Sequence, residues 1–278
     1  MTATPWPERP LPTLEFWTGS ALGWATLVAL ALIPLSLVLL VFDARVLDGE
    51  ALWLKPLKFQ ISMAVLTGTL LIAIGASGFG ASLWVRIPSV AVAATAVYEL
   101  TFLNVQAARG VRSHFNADTL FDRIGGAIMA GGAGILVLGA GLIGIAILVV
   151  WATKGRAALD DPLMLALGLA LALGGWLGGF TGGAIGANGG PFVGDATGPF
   201  VPLMGWSLTG GDLRIAHFLG LHVMQALPLL ALSVRLALPA AATSLVVIAG
   251  AGVWTFFTLA ALRAVQTGNA PSFNMPGG

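Results

Sequence analysis

Seven stretches of this chain are each long enough and apolar enough to cross a bilayer: 20–42, 57–77, 87–108, 124–151, 162–186, 213–234 and 240–263. A span needs about 20 mostly apolar residues, each rising about 1.5 Å along a helix. Charge or turn residues bound these stretches: Asp43 and Arg45 after the first, Arg86 before the third, Lys154 and Arg156 after the fourth. A transmembrane β-barrel would show short alternating strands instead. Helices satisfy their own backbone groups in lipid, so the pattern predicts an all-α polytopic integral membrane protein, a seven-transmembrane-helix bundle.

Composition narrows function. Only 9% of the 278 residues are charged and 57% are hydrophobic, whereas a soluble domain is about a quarter charged. This excludes a soluble enzyme and a disordered chain. A net charge of +1 leaves no basic surface for nucleic acid. With no cysteine, disulfides, thiolate metal sites, iron–sulfur clusters and covalently attached c-type haem are excluded.

The expected organisation is an extended, Pro-rich lead over 1–19, one membrane domain over 20–266 and a mobile tail over 267–278. The first span lacks a basic stretch directly before it and is too long for a signal-peptide core, so it reads as an uncleaved anchor. The loop over 187–212 reads NGGPFVGDATGPFVPLMGWSLTGGD between Ala187 and its end. It is too long and too apolar for a plain linker, and is expected to fold back as a lid or re-entrant segment. Spans four and five are rich in glycine, with Gly174, Gly178, Gly182 and Gly186 recurring every four residues. Small residues at this spacing let helix backbones approach closely, so these two spans are expected to pack as an antiparallel pair.

The polar residues fall mostly at one end of the bundle. Span two enters there with Lys55, Lys58 and Gln60; span three arrives with Glu99, Asn104 and Gln106. The next loop adds Arg109, Arg112, His114, Asn116, Asp118, Asp122 and Arg123. Span six leaves with Asp212, Arg214, His217, His222 and Gln225. Seven spans place all three histidines on this side of the bilayer. Glu99 and His222 each lie about 15 Å in from it. With His217 at zero, Arg214, Gln225 and His222 fall at about 60°, 80° and 140° around span six, on one broad face. Glu99 and Gln106 share a face of span three, with Thr95 nearby.

Basic residues number eight on this face and five on the other. Setting aside the five that adjoin the polar cluster (Lys55, Lys58, Arg109, Arg112 and Arg214) reverses the balance. The positive-inside rule then puts the N-terminus inside and the site face on the periplasmic side of a bacterial inner membrane.

A carboxylate at mid-bilayer must face the interior and be paired or protonated, and marks a functional site. The candidate catalytic groups are Glu99 and Asp212. The candidate metal ligands are His114, His217 and His222. Arg109, Arg112, Arg214, Lys58, Gln106 and Gln225 are the candidate cofactor-binding side chains. Each also has a plain structural reading. Glu99 can pin helices, the histidines can be hydrogen-bonded packing or capping residues, and Lys55 and Lys58 can snorkel to the interface. His217 and His222 are five apart, so they are not the i, i+4 pair of an H-E-x-x-H zinc site.

WLKPLKF (53–59), QAARGVRSHFN (106–116) and GDLRIAHFLGLH (211–222) resemble segments of a group of bacterial multi-spanning membrane proteins. That resemblance extends to 194–199 and 205–207 and implies a membrane bundle, with no activity attached. Seven spans and three histidines are also similar to zinc-dependent membrane hydrolases of the ceramidase and progestin-receptor type. This chain departs from them with H-x4-H in place of H-x3-H, in the sixth span rather than the last.

Four functions fit the sequence. The favoured one is a haem or divalent-metal centre in a membrane redox or sensing protein. There imidazoles would be ligands, and Arg109, Arg112 and Arg214 would hold propionates. The second is a proton-coupled transporter of a small anionic solute, with Glu99 carrying the proton. The third is a metal-dependent membrane hydrolase with Glu99 or Asp212 as base. The fourth is a scaffold or assembly subunit. The expected partners are the lipid bilayer and other membrane subunits, with no nucleic acid.

Overall fold

The computed structural model describes residues 14–78, 80 and 82–268. Most of the expected lead and nearly all of the expected tail lie outside the described residues. The elements are α1 (Leu14–Thr18), α2 (Ala21–Phe42), β1 (Val46–Leu47), β2 (Glu50–Ala51), α3 (Leu54–Ser77), α4 (Leu83–Arg109) and α5 (Leu120–Ala152). After a 3-10 turn (Gly155–Asp160) come α6 (Pro162–Ala187), β3 (Phe192–Val193), β4 (Gly211–Asp212), α7 (Leu213–Val234) and α8 (Ala240–Gln266). Among the described residues, α2 to α8 are seven helices long and apolar enough to cross a membrane. They coincide with the seven stretches read from the sequence. The protein is an all-α integral membrane protein.

Local chemistry sets the helix ends. Ser20 caps α2 by accepting from the Gly23 amide, and Thr119 caps α5 by accepting from Asp122. Asp161 caps α6, with Pro162 following in the first turn where its missing N–H costs nothing. Gly78 and Gly110 end α3 and α4 in the left-handed conformation that glycine adopts freely.

By its packing the chain divides into two compact units, Met1–Gly155 and Arg156–Gly278. In the first unit α2 packs on α3 and α4, and α4 on α5. The α4–α5 seam is cut by three glycines of α5 spaced seven apart. A methyl carbon on Gly125 would stand 2.1 Å from the Phe102 ring, on Gly132 2.8 Å from Thr95 Cγ2, and on Gly139 2.4 Å from Val92 Cγ2. Only glycine fits, and the backbones approach closely.

In the second unit α6, α7 and α8 pack on one another. Ala170, Leu177, Val223, Leu227 and Ala251 form the core between them. A methyl carbon on Gly174 would meet Met224 Cγ at 2.4 Å, and one on Gly182 would meet His217 Cε1 at 3.1 Å. The glycines of α5 serve α4 and those of α6 serve α7, each inside its own unit. Periodicity marks a face for close packing but does not name the helix that uses it.

Large apolar side chains stand exposed on the long helices, among them Trp84 at 79%, Leu138 at 66% and Phe256 at 66%. On a water-soluble protein such surface would be an aggregation liability; in a bilayer it is the lipid-facing coat.

The 188–212 connection does fold back. β3 pairs antiparallel with β4, Phe200 bridges to Ser207, and Trp206 and Val193 pack against Leu213, Ile215, Leu262 and Val265. Leu203 sits at the tip with a positive φ of 64° and is 75% exposed.

Candidate functional site

The residues assigned to one site from the sequence divide between the units. Lys58, Glu99, Gln106, Arg109, Arg112 and His114 belong to the first; Asp212, Arg214, His217, His222 and Gln225 belong to the second.

In the first unit one face of α4 lies against α5, carrying Thr95, Glu99 and Gln106 as the helical angles predicted. At its end Gln106 and Asp122 are both buried. Asp122 accepts from Gln106 Nε2 at 2.7 Å, from Thr119 Oγ1 at 2.6 Å and from Arg109 Nη1 at 2.5 Å. Arg109 also donates to Gln106 Oε1. With donors on both oxygens, Asp122 ties α4 to the first turn of α5. The sequence reading had placed it only in a polar loop.

Three other cations at this end are matched in the same way. Arg112 makes a two-pronged contact with Asp48, Nε to Oδ2 at 2.8 Å and Nη2 to Oδ1 at 2.6 Å. Arg112 holds the Asp48 carboxyl below its ordinary range. Lys58 bonds Glu50 at 3.1 Å. Arg45 chelates Asp43, which also accepts from Trp53 Nε1 at 2.7 Å, and together they hold the Asp43 carboxyl well below its usual range. An open groove of roughly 360 Å³ lies between the β1–β2 hairpin and the loop after α4, lined by Asp48, Arg112, Phe115, Asn116 and Asp118. Two of its residues, Asp48 and Phe115, have positive φ near 53° and 54°.

Two buried oxygens below this layer have no hydrogen-bond partner: Gln60 Oε1 and Glu99 Oε1. Gln60 is fully buried, and its Nε2 donates to Ser36 Oγ at 2.8 Å and to Asn104 Oδ1 at 3.3 Å. Glu99 is 3% exposed. A methyl carbon on Gly132 would stand 3.1 Å from Glu99 Oε1, so the glycine leaves the space in which the carboxyl sits. No charged side chain occurs in α2, and those of α3 and α5 (Lys55, Lys58, Asp122 and Arg123) lie within the first five residues of their helices. On α4 the neighbouring titratable group is Tyr98, whose hydroxyl donates to Gly125 O at 3.2 Å.

The three histidines are each fixed through Nδ1. His114 meets Ser113 Oγ at 3.0 Å, and burial pushes its imidazole down to about 3, so it is neutral at physiological pH. His217 meets Thr181 Oγ1 on α6 at 3.1 Å. His222 donates to Phe218 O at 2.8 Å and stacks on the Phe218 ring with centroids 3.8 Å apart. Among the described residues, no group of three or more His, Asp or Glu side chains is gathered to hold a metal ion. A shared side of the bilayer, which is what seven spans imply, is a weaker condition than ligand distance.

Asp212, a candidate base, is fully buried and fully engaged. It accepts from the Ser207 amide at 3.0 Å, the Arg214 amide at 3.0 Å, Arg214 Nε at 2.9 Å and Arg214 Nη2 at 2.6 Å. Arg214 donates further to Gly205 O and lies 4.9 Å over the Phe192 ring. The pair thus pins the 188–212 connection to the start of α7. A carboxylate with four donors on it has no lone pair well placed to take a proton from water. Gln225 is half-buried on α7.

Sequence reasoning placed Gln60 and Asp122 in the polar cluster without giving them a role, and it missed Asp48 and Gly132. Gln60 and Gly132 carry no charge, and their signal was only position: an amide inside a span and a glycine opposite the one deep carboxyl. Comparison with protein-family models, characterised proteins and solved structures gives no match to this chain.

Proposed function

We propose that the chain is a proton-coupled membrane transporter whose proton-carrying group is Glu99, seated in the bacterial inner membrane with the Glu99 approach on the periplasmic side. The observation that carries this reading is a carboxyl about 15 Å along α4 from Arg109, 3% exposed, with one oxygen lacking any hydrogen-bond partner. A carboxyl kept only to pin helices would be expected to have its oxygens satisfied, because an unsatisfied polar group in hydrocarbon is costly. A group that must alternately hold and release a proton needs an uncommitted oxygen. Gly132 supports the reading by keeping side-chain bulk away from that oxygen.

The test is proton movement in vesicles containing the purified chain. Glu99→Gln keeps the shape and removes the exchangeable proton, so pH-dependent flux should disappear. Flux equal to wild type would refute the role. A reporter joined after Gly278 should be periplasmic, and a cytoplasmic reporter would reverse the orientation.

One observation favours a second reading, the haem or divalent-metal centre. In all three histidines the hydrogen-bonded nitrogen is Nδ1, the arrangement that fixes a ring so that Nε2 can bind a metal. Against it, the propionate-holding arginines are already paired, Arg109 with Asp122, Arg112 with Asp48 and Arg214 with Asp212. A Soret band or stoichiometric metal in the purified protein supports the second reading. Colourless, metal-free protein from well-supplemented cells removes it.

A further inference from the structure

We propose that the solute exchanged against the Glu99 proton is a small monovalent cation, with Gln60, Asn104 and Ser36 as its binding point. The proposal rests on the transport reading above and replaces the anionic solute expected from the sequence.

The first argument is the state of the cations. An anion path needs positive charge to spare, and three of the basic side chains expected to supply it are neutralised. Lys58 is paired with Glu50, Arg109 with Asp122 and Arg112 with Asp48. The groove at this end of the unit is lined by Asp48, Asp118 and Arg112, and Asp48 and Arg112 bind each other rather than standing free.

The second argument is what the interior offers. Gln60 lies about 9 Å along α3 from Leu54, Asn104 about 7.5 Å along α4 from Arg109, and Glu99 about 15 Å from it. Past the first five residues of α3 and α5 there is no Lys, Arg or His on either helix. Both protons of Gln60 Nε2 are spent, on Ser36 Oγ and Asn104 Oδ1. Its Oε1 is an acceptor with nothing to accept from. Among the described residues of this unit, the buried side-chain oxygens of Gln60 and Glu99 without a hydrogen-bond partner both call for a cation or a donor.

The third argument is charge number. Amide and hydroxyl oxygens can replace the hydration shell of an alkali cation. Calcium and magnesium are held instead by several carboxylates or by retained water. The Gln60 group contains no carboxylate, and one carboxyl lies below it. One positive charge is what Glu99 can balance, either as a proton or as a cation. Gln60 sits between groove and carboxyl in depth, so a cation reaches it first. No bond is made or broken: a cation enters as a proton leaves.

Vesicles containing the full chain and a trapped pH dye provide the test. External sodium, lithium or potassium chloride should alkalinise the lumen at least fivefold faster than choline chloride at equal concentration. Sodium gluconate should match sodium chloride. Gln60→Leu should lower the cation-driven rate at least fivefold. Gln60→Asn, which keeps the amide but withdraws it by one methylene, should fall between, so a poorly folded leucine variant does not decide the matter. A rate that follows the anion, equals that in choline, or is unchanged in both Gln60 variants overturns the cation assignment and leaves Glu99 standing. Absence of any Glu99-dependent proton movement with every salt overturns both.

Discussion

Alanine substitutions along α5 should change stability with opposite signs at positions only a few residues apart. Glycine in a helix interior costs about 0.5–1 kcal/mol relative to alanine. At Gly131 and Gly134 an added methyl meets no atom within 4 Å, so Gly131→Ala and Gly134→Ala should recover most of that. At Gly125 and Gly139 the methyl would stand 2.1 Å from the Phe102 ring and 2.4 Å from Val92 Cγ2. Overpacking of this kind costs about 1–3 kcal/mol, and Val92 is β-branched and stiff. Gly125→Ala and Gly139→Ala should therefore be destabilised by about 1–2 kcal/mol net, a gap of about 1.5–3 kcal/mol from the open positions. Equilibrium unfolding by SDS titration in mixed micelles reads this gap directly. If Gly125→Ala and Gly139→Ala stabilise as much as Gly131→Ala, then α5 does not meet α4 through these glycines, and the space assigned to Glu99 is wrong with it.

His114 is held neutral by burial, with its folded value near 3 against 6.5 for a free imidazole. Below about pH 6.5 the unfolded chain takes up a proton that the folded one refuses, so stability should fall as pH drops from 6.5 toward 3. Between pH 6.5 and 5 the loss is on the order of 1–2 kcal/mol, and thermal melts of His114→Gln should lack that component. Asp212→Ala removes four accepted hydrogen bonds and leaves Arg214 with Gly205 O. It should cost about 2–4 kcal/mol and open the 188–212 connection to chymotrypsin at Phe200 or Trp206. Unchanged resistance would mean that the pair does not hold the loop. Asp48→Asn should loosen the β1–β2 hairpin from the loop after α4 with less than about 1 kcal/mol of global effect, because the pair is exposed. Hydrogen exchange confined to 44–52 and 110–118 would show it.

The helices were legible because a bilayer imposes one length on every span and few charges interrupt these seven. The shared face of Thr95, Glu99 and Gln106 was legible from helical angles alone, since all three lie on one helix. Pairing across elements was not. Arg112 finds Asp48 from 64 residues away, and nothing local distinguishes such an arginine from one held free for a ligand. The charges that looked like a binding rim are largely one another's partners. The three histidines illustrate the same gap, since each satisfies its Nδ1 within its own unit.

The α4–α5 seam also has a thermal consequence. Separating these two helices within a bilayer exposes their apolar faces to lipid rather than to water. The large heat-capacity change that accompanies hydration of apolar surface is then missing from that step. The seam is held by close dispersion contact, which does not fade on cooling. Its stability should fall almost linearly as temperature rises, without the curved maximum of a soluble core.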